Sequence, residues 1–325
     1  MLKVLYIDNK NYLHNADSHV DFVQSLEKNG LFKIIGLGNY LKRRFKTSYA
    51  LKENFDKQLQ FLLIRYKPSF ILTYNSGPDI IQKYDWASKS LSKARIPKIH
   101  IATDFMRDGF DPELSAWLER VGYNAIMFRH KESMKYPLSM DKFYLPISIN
   151  APLYSKNSEK MLSRKKNLVG FIGSSHIDQD LYQNRIKAMR ALGSSDLLRE
   201  TKFVKKQGRS QMMFGEHYVK FITKNLFGLT CGGTCNYFVA KHFQIPAAYS
   251  MLICTDVPGL EIFPKESYIK YDPNNLNKLI EDVTFHINNK DIVREKISIL
   301  HKYVLINHNH KARGEELLDF VNKII

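Results

Sequence analysis

The sequence predicts an α/β protein of two domains, each a doubly wound parallel sheet with helices on both faces. Short apolar runs alternate with longer amphipathic stretches over residues 1–150, and the alternation resumes at residue 168. Between them, residues 151–167 are polar and basic with a proline near the start, which is typical of a linker. A chain of 325 residues is also long enough for two domains that each bury a core.

The first domain, residues 1–150, shows strand-length apolar runs separated by stretches with apolar residues at helical spacing. The predicted strands are residues 3–7, 32–37, 69–73, 98–102, 125–128 and 142–145. The predicted helices are residues 20–27, 56–66 and 80–92. Strands that alternate with helices pair in parallel, so ligands are expected beyond the carboxyl ends of the strands.

The second domain, residues 168–311, repeats this organisation. The predicted strands are residues 168–172, 202–204, 226–229 and 251–254, and the predicted helices are residues 181–192, 218–224, 238–249, 276–288 and 290–304. A last amphipathic helix, 312–325, is expected to pack back on the first domain. Two such domains predict a binding site in the cleft between them.

The charge balance points towards an anionic partner. The net charge is +17 at pH 7, which suits nucleic acid, an anionic membrane surface or a phosphorylated substrate. The lysines and arginines are spread along the chain rather than grouped in blocks, so a solvated lysine-rich surface is the alternative interpretation.

The compartment is predicted from the cysteines and the apolar runs. Three cysteines do not make a disulfide framework and suit a reducing environment. The first residues, MLKVLYID, predict a buried strand rather than a signal peptide, and no apolar run approaches the roughly 20 residues that span a bilayer. We expect a cytoplasmic protein, with peripheral membrane association as an alternative.

A first candidate phosphate site follows the strand that ends in FIGSS. Gly173 allows close approach of the backbone, and Ser174 offers a hydroxyl just before the next helix. Arg185, on that helix, adds a cation suited to a diphosphate. The alternative for Arg185 is an ordinary solvated helix face.

A second candidate lies in the stretch that starts at Lys241, within the predicted helix 238–249. Lys241 and Gln244 are three residues apart and share one helix face, where a cation and an amide suit a pyrophosphate and a ribose. The alternative is that both side chains face solvent. Thr234 and Asn236, in the preceding CGGTCN loop, are expected to add polar contacts.

The candidate catalytic base is Asp104, just past an apolar strand. A reaction in which an acceptor hydroxyl attacks the substrate needs a group that takes the hydroxyl proton, and a carboxylate is a common choice. The alternative role for Asp104 is a helix N-cap. Asp178 and Asp180 form a D-x-D pair, but we expect them to cap the next helix rather than bind metal, so the prediction is a metal-independent site.

The segment KHFQIPAAYSMLICTDVPGLEIF resembles one found in CgeB-like, spore-maturation-type glycosyltransferases of the GT-B fold. That family carries R-x-F-E-I-P-A-C-G, a short strand and then a turn into P-[GE]-x-x-x-L/I-F. Residues 245–247 match the pattern, whereas Lys241, Gln244 and Tyr249 stand where Arg, Glu and Gly are expected. The family also has a strand leading to Gly-Ser with an Arg downstream, and Y-L-P-x-x-x-N at the end of its first domain. These are matched by residues 171–174, Arg185, residues 144–146 and Asn150.

The resemblance implies a GT-B fold with two Rossmann-like domains and an interdomain cleft. It also implies a nucleotide-diphosphate sugar as co-substrate, a UDP-sugar by preference, with no other cofactor. The departures weaken the inference of a UDP donor more than that of the fold. Gln244 keeps an acceptor oxygen for the ribose but loses the charge, and Lys241 replaces a bidentate fork by a point charge.

The stretch IATDFMRDGF, residues 101–110, resembles a strand–Thr–Asp segment of phage DNA β-glucosyltransferases. In those enzymes this Asp is the base, and Asp104 falls on the matching position. Three functions follow as expectations. The first is sugar transfer to a glycan or cell-envelope hydroxyl, and the second is transfer to hydroxymethylated bases in DNA. The third is a binding module that has lost catalysis.

Overall fold

The computed structural model describes residues 1–8, 19–38, 41, 44–52, 54–75, 88–102, 112–154, 162, 165–173, 182–197, 200–203, 215–233 and 236–325. These residues form two compact units. Unit 1 holds the described residues up to Pro146 together with His310–Ile325, and unit 2 holds the described part of Ile147–Asn309. Over the described residues, the chain therefore passes from unit 1 to unit 2 after Pro146 and returns to unit 1 with its last helix.

The strands of unit 1 form a wholly parallel sheet. In the described residues they are β1 (Leu2–Ile7), β2 (Phe32–Leu37), β3 (Thr47–Tyr49), β4 (Phe70–Asn75), β5 (Lys98–Ala102), β6 (Ala125–Phe128) and β7 (Asp141–Tyr144). Their order is β3-β2-β1-β4-β5-β6-β7. Most of these strands are buried on both faces, as a parallel sheet covered by helices requires.

The first helices of unit 1 are α1 (His19–Lys28), α2 (Phe55–Tyr66), α3 (residues 88–93) and α4 (Pro112–Val121). The sequence prediction missed α4, although its signals are clear. Pro112 occupies the first turn, and the helix buries Leu114, Trp117, Leu118 and Val121 at helical spacing. Gly122 ends the helix with a φ of 74°, a conformation that glycine adopts without strain.

Unit 2 contains the second parallel sheet. Its described strands are β8 (Lys166–Gly173), β9 (Glu200–Phe203), β10 (Asn225–Leu229), β11 (Met251–Cys254) and β12 (Ile269–Lys270). Their order is β12-β11-β10-β8-β9. The helices are α5 (Ala151–Tyr154), α6 (Gln183–Ser194), α7 (Gly215–Thr223), α8 (Lys241–Ala247), α9 (Leu276–Asn288) and α10 (Lys290–Asn307).

Helices cover both faces of the unit 2 sheet. Residues of α6 and α9, including Leu192 and Val283, share one apolar cluster with strand residues such as Phe227. Residues of α7, α8 and α10 form the other cluster, in which Phe243 and Val304 are buried. Two helix layers around one sheet are the doubly wound arrangement that the strand–helix alternation predicts.

The last helix, α11 (His310–Ile324), belongs to unit 1. It contacts α1, and Leu317 and Val321 are buried in the unit 1 core. The helix starts two residues before the predicted Ala312. The predicted linker, 151–167, begins with α5 and ends inside β8, and most of its middle lies outside the described residues. In the described part of the chain, no helix is long and apolar enough to cross a membrane.

Gly38 lies where β1 and β2 end side by side and admits no side chain. An added Cβ would lie 1.7 Å from the Asp8 carbonyl oxygen, which is backbone and has no rotamer to change. We expect Gly38→Ala to destabilise unit 1 by about 2 kcal/mol, measured by chemical unfolding.

The matched control is Gly193→Ala in α6, where nothing lies within 4 Å of the added Cβ. Alanine there should raise the free energy of unfolding of unit 2 by about 0.5–1 kcal/mol, because glycine is a poor helix former. Wild-type stability of Gly38→Ala would contradict the close approach of β1 and β2.

Candidate functional site

The strand order of unit 2 defines a switch point beside β8. The chain passes from β8 to β9 on one side and then to β10 on the other. In open α/β sheets, ligands bind beyond the carboxyl ends of the strands at such a point. Gly173 is the last residue of β8, and Thr230 directly follows β10. These two strand ends locate the candidate site.

Arg185 lies in the first turn of α6, which follows β8, and it is only 3% exposed. The centre of its guanidinium lies 4.0 Å from the Tyr182 ring centroid and 5.1 Å from that of Phe171. Stacking on two rings orients the guanidinium. The rings also displace water from the cation, so a ligand that binds it has less water to remove. The alternative of a solvated helix face is wrong, because this cation is buried.

Lys241 is the first residue of α8 and is half-buried. Burial lowers the pKa of its ammonium to about 7; the nearby charge of Arg185 lowers it further, and Cys231 acts in the opposite direction. Arg185 lies in the helix that follows β8 and Lys241 in the helix that follows β10, so both cations belong to the carboxyl edge of two neighbouring parallel strands. Two neighbouring cations in a partly desolvated setting favour an anionic ligand.

Gln244 lies one helical turn after Lys241 and is buried. Its Oε1 accepts a hydrogen bond of 2.7 Å from the hydroxyl of Tyr218 on α7. The alternative of a solvent-facing Gln244 is therefore wrong. An amide oxygen has two lone pairs, so contact with a ribose would have to share this oxygen with Tyr218 or use the amide NH2.

Of the remaining predicted site residues, Asn236 lies in the described part of the chain. Asn236 is exposed and has a φ of 47°, the left-handed conformation that asparagine tolerates. The predicted Ser174, Thr234 and Asp104, and the D-x-D residues Asp178 and Asp180, lie outside the described residues. Among the residues that the structure does describe, no group of three His, Cys, Asp or Glu side chains could hold a metal ion.

Two polar residues at the switch point were missed by the sequence analysis. Thr230 is fully buried and its Oγ1 has no hydrogen-bond partner in the described part of the chain. His242 is also buried; its Nδ1 accepts a hydrogen bond of 3.0 Å from the Val239 amide, whereas its Nε2 has no partner there. A threonine directly after an apolar strand was a signal that could have been used. His242 gave none, because it lies inside the predicted helix and off the face that Lys241 and Gln244 share.

Comparison with known proteins identifies the fold class. No protein-family model and no curated protein matches the chain. The structure of HepE from Anabaena in complex with UDP-glucose has a TM-score of 0.68 at 9% identity, covering 99% of this chain and 100% of that chain. A glycosyltransferase from Rickettsia africae has a TM-score of 0.67 at 9% identity, with coverages of 99% and 98%.

A third similar structure is an alpha-glucosyltransferase in complex with UDP and a DNA 13-mer that contains an HMU base. Its TM-score is 0.72 at 11% identity, and the alignment covers 99% of both chains. The chain therefore has the GT-B fold, and the predicted fold class is confirmed. At these identities the likeness shows the fold alone. The CgeB-like resemblance stays a prediction.

Proposed function

We propose that the chain is a glycosyltransferase that takes a sugar from a nucleoside-diphosphate sugar, with a UDP-sugar as donor. The observation that carries this proposal is the pair of cations, Arg185 and Lys241, at the carboxyl edge of β8 and β10. In a GT-B fold this edge is a switch point suited to a phosphate ligand. The donor would contact Gly173, Ser174, Arg185, Lys241 and Gln244, with Thr234 and Asn236 nearby.

The chemistry of sugar transfer explains the value of such a pair. When the glycosidic bond to the donor breaks, negative charge develops on the diphosphate leaving group. Cations that are already oriented stabilise this charge without reorganisation at the moment of reaction. Arg185, stacked between two rings, is suited to this role, and we propose that the reaction needs no metal ion.

The proposed donor site is tested by thermal stability in the presence of UDP, GDP and their sugars. A ligand that binds only the folded state raises the melting temperature, by an amount that follows its concentration relative to its Kd. Stabilisation by one nucleotide and its sugar supports the enzyme. No stabilisation by any nucleotide at millimolar concentration would favour the non-catalytic binding module instead.

Asp104 is proposed as the base of an inverting transfer. Asp104→Asn is expected to lower kcat by at least about 100-fold, because the amide cannot take the acceptor proton. UDP binding should remain at the wild-type level, which separates loss of catalysis from loss of folding. Asp108→Asn is the matched control and should retain activity. Full turnover by Asp104→Asn would show that Asp104 is a helix cap, or that the reaction retains configuration.

For the acceptor, we propose a glycan or cell-envelope hydroxyl, with a hydroxymethylated base in DNA as the second candidate. One observation favours the second, the likeness to an alpha-glucosyltransferase solved with DNA, whereas the net charge of +17 suits an anionic membrane surface and DNA alike. A gel shift with duplex DNA across a salt series distinguishes them. Binding that weakens steeply with salt, together with sugar transfer to hydroxymethylated DNA, would assign DNA as the acceptor.

A further inference from the structure

The surroundings of Lys241 oppose a positive charge. Its side chain lines a small cavity with mostly apolar walls, among them Phe221 of α7 and Leu229 of β10. Within the described residues, the ammonium makes no hydrogen bond and no ion pair. A cation in such a setting either loses its proton or acquires an anionic partner.

The charged and titratable side chains around Lys241 come from α6, α7, α8 and the end of β10. Arg185 of α6 is a cation, and Cys231 follows β10. Tyr218 of α7 lines the same cavity, and its hydroxyl donates to Gln244. His242, next to Lys241 on α8, has a pKa lowered to about 3 by burial, so it stays neutral above that pH. Within the described part of the chain, no carboxylate shifts the pKa of Lys241.

The candidate site of the ligand-free protein therefore contains an arginine, Arg185, and a lysine, Lys241, whose charge depends on pH. Arginine side chains are charged in proteins. The pKa of Lys241 is lowered to about 7, by burial first and by Arg185 second, so at pH 8 the free protein holds it mainly as the neutral amine. A doubly charged phosphate group beside the amine would raise this pKa, because an opposite charge favours the protonated form.

We propose that Lys241 takes up a proton when the phosphates of a nucleoside diphosphate bind beside Arg185, so that the site selects ligands with at least two negative charges. The proton passes from solvent to Nζ, and no covalent bond is formed or broken. This inference rests on the proposed donor site. A ligand with a single negative charge exerts a weaker field at Nζ and gives Lys241 little reason to be charged.

The sign of the pH dependence follows from this coupling. The complex binds one more proton than the separated protein and ligand, so affinity falls as pH rises above 7. The fall is at most about tenfold per pH unit until the pKa of Lys241 in the complex is reached. UDP itself does not change the number of protons taken up at pH 8, because its terminal phosphate, with a second pKa near 6, is already fully ionised.

The test is isothermal titration of UDP into the full chain at pH 8, in HEPES and in Tris, whose ionisation enthalpies differ. The difference in observed heat gives the number of protons taken up, and we expect close to one. Lys241→Arg should bind UDP without proton uptake, because arginine is always charged. Cys231→Ser should keep the uptake, which excludes the thiol as the titrating group.

The results separate the proposed proton uptake by Lys241 from the proposed donor site. UDP binding without proton uptake in the wild type would overturn this inference and leave the donor site in place. Undiminished uptake in Lys241→Arg would also overturn it, because another group would then be titrating. If no nucleoside diphosphate binds, the proposed function itself fails and the inference falls with it.

Discussion

Arg185→Met is expected to weaken UDP binding at least about 100-fold. Arg185 is a buried guanidinium at the proposed site, and arginine side chains are charged in proteins. Losing charge-assisted hydrogen bonds to a diphosphate costs on the order of 3 kcal/mol in binding free energy. Methionine keeps a long apolar chain against Phe171 and Tyr182, the rings on which the guanidinium stacks. Titration calorimetry with UDP measures the effect.

The matched control is Arg190→Met, on the same helix but exposed. It removes the same charge from the protein while leaving the candidate site intact, so UDP affinity should stay near the wild-type value. Equal affinity in Arg185→Met and in the wild type would show that the diphosphate does not bind at this edge of the sheet.

Lys165→Met is expected to destabilise unit 2 by about 3 kcal/mol, the largest effect on stability that we predict. Lys165 is buried, and its Nζ donates to the Thr223 and Ala248 carbonyl oxygens at 2.5 and 3.3 Å and to Ser250 Oγ at 3.0 Å. One ammonium thus joins the end of α7, the end of α8 and the approach to β11. Methionine fills similar space but leaves these buried acceptors without their donor.

The control for this variant is Lys166→Met, the neighbouring residue, whose side chain is exposed. Its stability should change by no more than about 0.5 kcal/mol. Chemical unfolding followed by circular dichroism compares the two. If both variants unfold at the wild-type midpoint, the Lys165 contacts contribute nothing net, and the desolvation of the ammonium offsets its hydrogen bonds.

The strands that sequence reasoning located best are short runs dominated by apolar residues. The observed bounds of Phe32–Leu37, Lys98–Ala102, Ala125–Phe128 and Met251–Cys254 are the predicted ones. Such runs are required where a parallel sheet is covered on both faces, so burial and pattern coincide. By contrast, β3 (Thr47–Tyr49) was missed because it is short and has no apolar run. It owes its strand structure to pairing with β2.

The candidate site was predictable in outline only. Arg185 was found as a cation on the helix predicted after FIGSS, and Lys241 was found through its helical spacing from Gln244. Their burial depends on long-range packing that no local pattern encodes. Stacking of Arg185 on Tyr182, and use of the Gln244 oxygen by Tyr218, are tertiary contacts of this kind. Thr230 carried a usable signal because it directly follows an apolar strand, whereas His242 becomes a candidate only when the switch point is known.

A structure determined with UDP bound tests the central claim most directly. The account predicts that the diphosphate lies beyond the carboxyl ends of β8 and β10. The Arg185 guanidinium and Lys241 Nζ should then lie within hydrogen-bonding distance, about 3 Å, of its phosphate oxygens. A nucleotide bound away from this edge, or contacts that include neither cation, would contradict the account.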